Sequence, residues 1–250
     1  MYSKEFKELV EKGEEEKFYI GLGNPNAKIL FVGQEAAIGS NDDENKAFYL
    51  KNVRYWKENI HNNSLKENEL NFIPSKDNPS QKALRMTGHT WRKYQILHNY
   101  SIIDKDNKSL DGNEKFRIDF LENVFTTEMS DAPAKRKQNA QQKKDLKSKL
   151  DLRRNTFFKS EFIQQFPVVI LACWDYIKND DNDRQIDDVF NVKFCEKESS
   201  NDLDFWVHYN EKRSKLVIHT HQLSGSVAPD DLLKPIGNII RKFMFDNGYI

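Results

Sequence analysis

The chain is expected to fold as an α/β protein, a three-layer α/β/α sandwich around a four-stranded, mainly parallel central sheet. Three features predict this. Apolar or β-branched runs recur at 28–33, 123–127, 167–172 and 215–220, and runs without polar alternation are what strands buried on both faces look like. Stretches with helical spacing separate them, which is the order of β-α-β units closed by right-handed crossovers. With 250 residues, 38% hydrophobic and 12% aromatic, the chain carries enough apolar surface to fill one core. A single domain over 1–250 is expected.

Phe6, Leu9 and Val10 sit at helical intervals ahead of Gly13, so a short amphipathic helix opens the chain. Gly21-Leu22-Gly23-Asn24-Pro25-Asn26 is turn chemistry, and the first buried strand follows it. A dinucleotide-binding glycine turn follows its strand rather than preceding it, which argues against that function here. Residues 40–80, rich in Asn, Asp, Lys and Glu, read as an elaborated connection with one or two short helices. Trp91, Tyr94, Ile96 and Leu97 mark a helix that packs on the sheet.

After the second strand, nine Lys or Arg and two Asp between Lys135 and Arg154 leave a local excess of seven positive charges. That pattern suits an exposed helix or arm. Residues 157–166 resume helical periodicity, and Pro167 opens the third strand, where a missing N–H is tolerated. The acidic stretch 179–188 reads as a solvated loop or helix start, and 203–209 and 215–220 flank a polar turn that suits a hairpin. Leu232, Leu233, Ile236, Ile239, Ile240 and Phe243 mark a C-terminal amphipathic helix with Pro235 in its first turns.

Thirty-nine basic residues balance thirty-nine acidic ones, so no global field recruits a polyanion and any nucleic-acid contact has to come from a local patch. Cys173 and Cys195 are too few for a disulfide framework and lack zinc-site spacing, so a reducing, cytoplasmic setting is expected, with no metal and no cofactor. No apolar run approaches the roughly 20 residues that span a bilayer, so no membrane partner is expected. The chain is expected to act as a monomer.

In parallel sheets ligands bind beyond the carboxyl ends of the strands. The segments found there are Gly33-Gln34-Glu35-Ala36-Ala37, Thr127-Glu128, and His219-Thr220-His221-Gln222-Leu223-Ser224. This layout resembles the uracil-DNA glycosylase superfamily. In its members one buried strand ends in a Gly-containing motif such as G-Q-D-P-Y-H or G-E-A-P-G, and a late strand ends in a His motif such as H-P-S ahead of a helix. Lys28 to Glu35 looks like the first motif and Val217 to Ser224 like the second. Val124 to Glu128 is similar to the strand that ends in Thr-Asn in members, and Pro167 to Ala172 to the strand that follows.

The resemblance implies hydrolysis of the N-glycosidic bond of a uracil, or another modified base, flipped out of DNA. Such cleavage develops positive charge on the sugar and negative charge on the departing base. Glu35 would hold or deprotonate water and stabilise the sugar cation, and His221 would donate to the base. Gly33, Gln34, Ala37, Thr127 and Glu128 would line the base pocket, and Phe48 or Tyr49 would stack on the base. Gln222, Leu223 and Ser224 would meet the DNA, with Leu223 entering the gap left by the nucleotide, and Lys135, Arg136 and Lys137 would attract phosphates.

Three positions depart from the superfamily pattern. No proline follows Glu35, Ala37 replaces a bulky tyrosine found in some members, and Glu128 stands at the amide position. A carboxylate there cannot donate to a uracil carbonyl unless it is protonated. Two other functions use the same residues: a nucleic-acid-binding module of this fold without turnover, and a hydrolase for a small nucleoside-like ligand. Glu35 as a helix cap, an inward structural histidine at 219 or 221, and a merely solvated basic segment are the corresponding structural roles.

Overall fold

A computed structural model of the 250-residue chain describes residues 1–35, 42–65, 70–74, 77, 89–103, 117–131, 140–200, 202–224 and 228–250. The strands are β1 (Leu22–Gly23), β2 (Ile29–Gly33), β3 (Val124–Glu128), β4 (Val168–Leu171), β5 (Lys193–Ser200), β6 (Leu203–Tyr209) and β7 (Leu216–His219). They form one seven-stranded mixed sheet in the order β1-β3-β2-β4-β7-β6-β5. The four apolar runs are its middle strands, and the pairs β3-β2, β2-β4 and β4-β7 are all parallel. Antiparallel strands extend both edges, so the expected four-stranded sheet is corrected to seven strands of mixed direction. The expected hairpin is present, with Trp206 opposite His219 and Tyr209 opposite Leu216.

The α-helices among the described residues are α1 (Lys4–Glu16), α2 (Asp42–His61), α3 (Thr90–His98), α4 (Ala140–Asn155), α5 (Glu161–Gln164), α6 (Gln185–Phe190) and α7 (Asp230–Asp246). The first and last helices show their local causes. The Ser3 hydroxyl accepts from the Phe6 N–H and caps α1, which ends where Lys17 turns left-handed at φ 60°. In α7, Asp230 and Asp231 face the positive end of the helix dipole. Pro235 offers no N–H to the Asp231 carbonyl one turn back, and the Ser200 hydroxyl on β5 donates to that carbonyl at 3.0 Å instead. None of the described helices is long and apolar enough to cross a membrane.

Period-two alternation sends the strand side chains to two cores. Leu30, Val32, Phe125, Val169, Leu171 and Val217 meet α1, α2 and α5 on one face. Ile29, Phe31, Val124, Val168, Ile170 and Ile218 meet α3 and α7 on the other. Phe125 is the hub of the first core, with its ring against Phe6, Trp56, Phe162 and Phe166. Phe125→Ala is expected to lower unfolding free energy by about 3–5 kcal/mol, a loss chemical denaturation measures directly.

Polar groups tie the β1 edge to the helices. Asn52 on α2 accepts from the N–H groups of Ile20 and Gly21 and donates to the Gly21 carbonyl at 2.8 Å, and the Trp56 indole donates to the same carbonyl. The last turn of α4 works similarly behind β3. Arg153, only 4% exposed, donates to the carbonyls of Glu128 and Tyr19 and to the Thr127 hydroxyl. Arg154 is also buried and donates at 2.7 Å to the Tyr176 carbonyl. Two of the nine cations in the basic run are therefore internal fastenings rather than surface charge, so the expected exposed helix or arm does not hold at Arg153 and Arg154.

Candidate active site

The carboxyl ends of the parallel strands bring together residues from β2, β3, β4 and β7. Gly33 closes β2 in register with Glu128, the last residue of β3. A side chain at position 33 would collide with the Glu128 carboxyl and press on the Tyr94 hydroxyl of α3. Glycine at this point lets the carboxyl lie across the strand end. Gly33→Ala is thus expected to push the carboxyl aside and shift its titration while leaving the sheet intact, which carbon-13 spectra of the Glu128 carboxyl across pH and circular dichroism measured together would test.

Glu128 has its pKa raised to about 8, first by burial and then by the charge of Glu35, with Arg153 opposing. It is therefore largely protonated at neutral pH and can donate as well as accept. Glu35, two residues beyond Gly33, accepts from the Tyr176 hydroxyl, whose own pKa is driven up by burial and by this contact. Tyr94 and Cys173 are held neutral chiefly by burial. One acid with a retained proton thus lies beside a second carboxyl group, with the Arg153 guanidinium behind it and neutral Tyr94 and Cys173 close by.

The turn after β4 joins this pair to the β7 loop. The Gln34 amide donates to the Cys173 carbonyl at 3.3 Å and to Asp175 at 3.4 Å, so the β2 loop is fastened to the turn. Tyr176 reaches Glu35, while the Trp174 ring lies flat on His221 at 3.6 Å between centroids, with 18° between planes. Trp206 on β6 adjoins the same stack at 5.6 Å. Strand β4 separates β2 from β7, so the loops carrying Glu35 and His221 leave the sheet roughly 10 Å apart, two strand spacings. Burial lowers the His221 pKa and Asp204 partly offsets it. His221 is half-buried, whereas His219 is 4% exposed and faces inward.

The residues singled out from sequence divide accordingly. Gly33, Gln34, Glu35 and Glu128 converge, and His221 joins them through the β4 turn. Thr127 does not line the site: its hydroxyl donates to the Ile20 carbonyl and accepts from Arg153, on the opposite face of β3. Leu223 is fully buried in the α7-side core, so the wedge role expected of it is corrected, since inserting it into DNA would first expose that core surface. Gln222 and Ser224 beside it keep partial exposure. Phe48 and Tyr49 belong to α2, but their side chains lie outside the described residues, as do Ala37, Lys135, Arg136 and Lys137 altogether.

Sequence reasoning missed Tyr176, Trp174, Asp175, Trp206 and the hydroxyl of Tyr94. The first three occupy a short 3-10 turn, where no periodicity flags them. Among the described residues no group of three or more His, Cys, Asp or Glu is placed to hold a metal ion. Compared with known proteins, the chain matches no family model, no curated protein and no solved structure.

Proposed function

We propose that the chain hydrolyses the N-glycosidic bond of a uracil or other modified base in DNA, with the base held at the carboxyl ends of the parallel strands. The observation that carries this reading is the Glu35–Glu128 pair, in which burial and mutual repulsion leave Glu128 protonated at neutral pH. Bond cleavage needs two opposite services, stabilisation of a sugar cation and of a base anion. Glu35 supplies negative charge and orients water. Glu128, as a neutral acid, donates to the base oxygen and accepts from an adjacent ring N–H, the two functions a side-chain amide would otherwise serve. His221, uncharged at neutral pH, offers a further N–H beside the flat Trp174 ring. The α/β class suits this reading, since the middle strands run parallel and Glu35, Glu128 and His221 all lie at or just beyond their carboxyl ends.

The test is single-turnover incubation with duplexes carrying uracil, hypoxanthine or a G·T mismatch, followed by alkaline scission at abasic sites. Abasic product from at least one duplex is expected. A wild-type rate in a Glu35→Ala, His221→Ala double variant would refute the assignment. Cleavage of free deoxynucleosides without affinity for DNA would favour a small-ligand hydrolase, and salt-sensitive DNA binding without product a binding module.

A further inference from the structure

Behind the Trp174–His221 stack runs a partly buried hydrogen-bond chain whose direction is fixed at every end. Arg184 donates to Asn179 Oδ1 at 3.4 Å, and a guanidinium has no acceptor, so the Asn179 amide must turn its Nδ2 the other way. That Nδ2 faces His208 Nε2 at 3.1 Å and His219 Nδ1 at 3.4 Å. An NH₂ group can only donate, so both ring nitrogens are unprotonated acceptors. The far nitrogens obey the same logic: His208 Nδ1 donates to Asp187 at 2.7 Å, and His219 Nε2 donates to the Trp174 carbonyl at 3.0 Å. His208 is wholly buried and His219 nearly so, and burial depresses both pKa values, that of His219 to about 4.

The chain ends on an unusual residue. Trp174 has φ 41°, a left-handed conformation that bulky side chains rarely adopt and that costs on the order of 1–3 kcal/mol. Its N–H donates to the Thr220 carbonyl at 3.3 Å and its carbonyl accepts from His219, so residues 219 and 220 grip its backbone from both sides while His221 covers its ring. The β4 turn and the β7 loop are thereby locked to each other.

We propose that Asn179 and His208 are positioning residues, which fix one tautomer of His219 and so hold Trp174 as a rigid shelf for His221 and for a planar ring bound beside it. The part concerning the bound ring rests on the proposed glycosylase function; the part concerning the lock does not. Neither residue touches the reacting groups. Their effect passes through hydrogen-bond direction, not through bulk.

Two near-isosteric variants separate direction from packing. Asn179→Asp replaces the double donor by an acceptor facing two acceptors, so one imidazole must take up a proton. In this variant, nitrogen-15 spectra near pH 7 are expected to show an imidazolium at His208 or His219 where the wild type shows two neutral rings of opposite tautomer. The ring-current shift of the His221 protons is expected to shrink, and base release to fall about 10- to 100-fold, as for a misplaced active-site group. His208→Gln keeps an acceptor for Asn179 and a donor for Asp187, and is expected to preserve the His219 tautomer and the His221 shift. Unchanged tautomers and shifts in Asn179→Asp would overturn the proposal, as would equal damage in both variants. If the wild type releases no base at all, the glycosylase reading fails while the spectra still decide the lock.

Discussion

Glu35→Gln is expected to slow base release by about 10³-fold with little change in DNA affinity. The substitution keeps the side chain's shape but removes the negative charge that faces the developing sugar cation and orients water, and such a group typically contributes 10²- to 10⁴-fold. A second signature distinguishes this cause from misfolding. The Glu35 charge is the second contributor holding the Glu128 proton, after burial. Removing it lets Glu128 ionise more readily, so any residual activity should decline at lower alkaline pH than in the wild type. Single-turnover rates across pH, with binding followed by fluorescence anisotropy, would show both effects. Undiminished base release would leave Glu35 only the helix-capping role that its place after a strand also allows.

The parts of this fold that sequence reveals are those whose physics is local. Runs such as Ile29 to Val32 and Val168 to Leu171 are legible because burial on both faces removes every polar alternate. Strand β5 escapes notice for the opposite reason. As an edge strand it carries Lys193, Glu196, Lys197 and Glu198, charges that blunt the edge and mimic a loop. Strand β1 is two residues long and half glycine, and nothing in it distinguishes a strand from a turn.

The site was partly legible, because the strand-end rule locates Glu35, Glu128 and His221 without coordinates. Their mutual effects are not legible: the proton on Glu128 depends on Glu35 and Arg153, far away in sequence, and on burial beside Gly33. Asn179 likewise looks like one more polar residue in an acidic loop, yet its amide joins histidines 29 and 40 positions away. Leu223 misleads in the other direction. A leucine after a histidine motif looks free to move, but it belongs to the core under α7. Arg153 and Arg154 carry a signal of their own, since they lie between Leu150 on α4 and the Phe157-Phe158 pair in the turn that follows it, all buried.

Base release by the wild type is expected to fall as pH rises through about 8, and Glu128→Gln is expected to abolish that fall while keeping the rate near pH 7 within a few-fold. The folded protein retains the Glu128 proton to about pH 8, against 4.5 for an ordinary glutamate. Above 8 the residue becomes a second carboxylate, loses its donor and repels the departing base anion. Glutamine remains a donor and acceptor at every pH, so its profile should stay level where the wild type declines.

The same proton makes a stability prediction of definite sign. Between 4.5 and about 8 the folded state binds a proton that the unfolded state has released, so wild-type stability falls as pH rises across that window and levels off above it. The slope contributed by this one group cannot exceed about 1.4 kcal/mol per pH unit. Glu128→Gln should remove this contribution and unfold at higher denaturant than the wild type at pH 9. A variant that flattened the stability curve but kept the alkaline fall in rate would show that Glu128 is buried and neutral yet not the group that meets the base. If the variant left both curves unchanged, the carboxyl pair would have no such coupling.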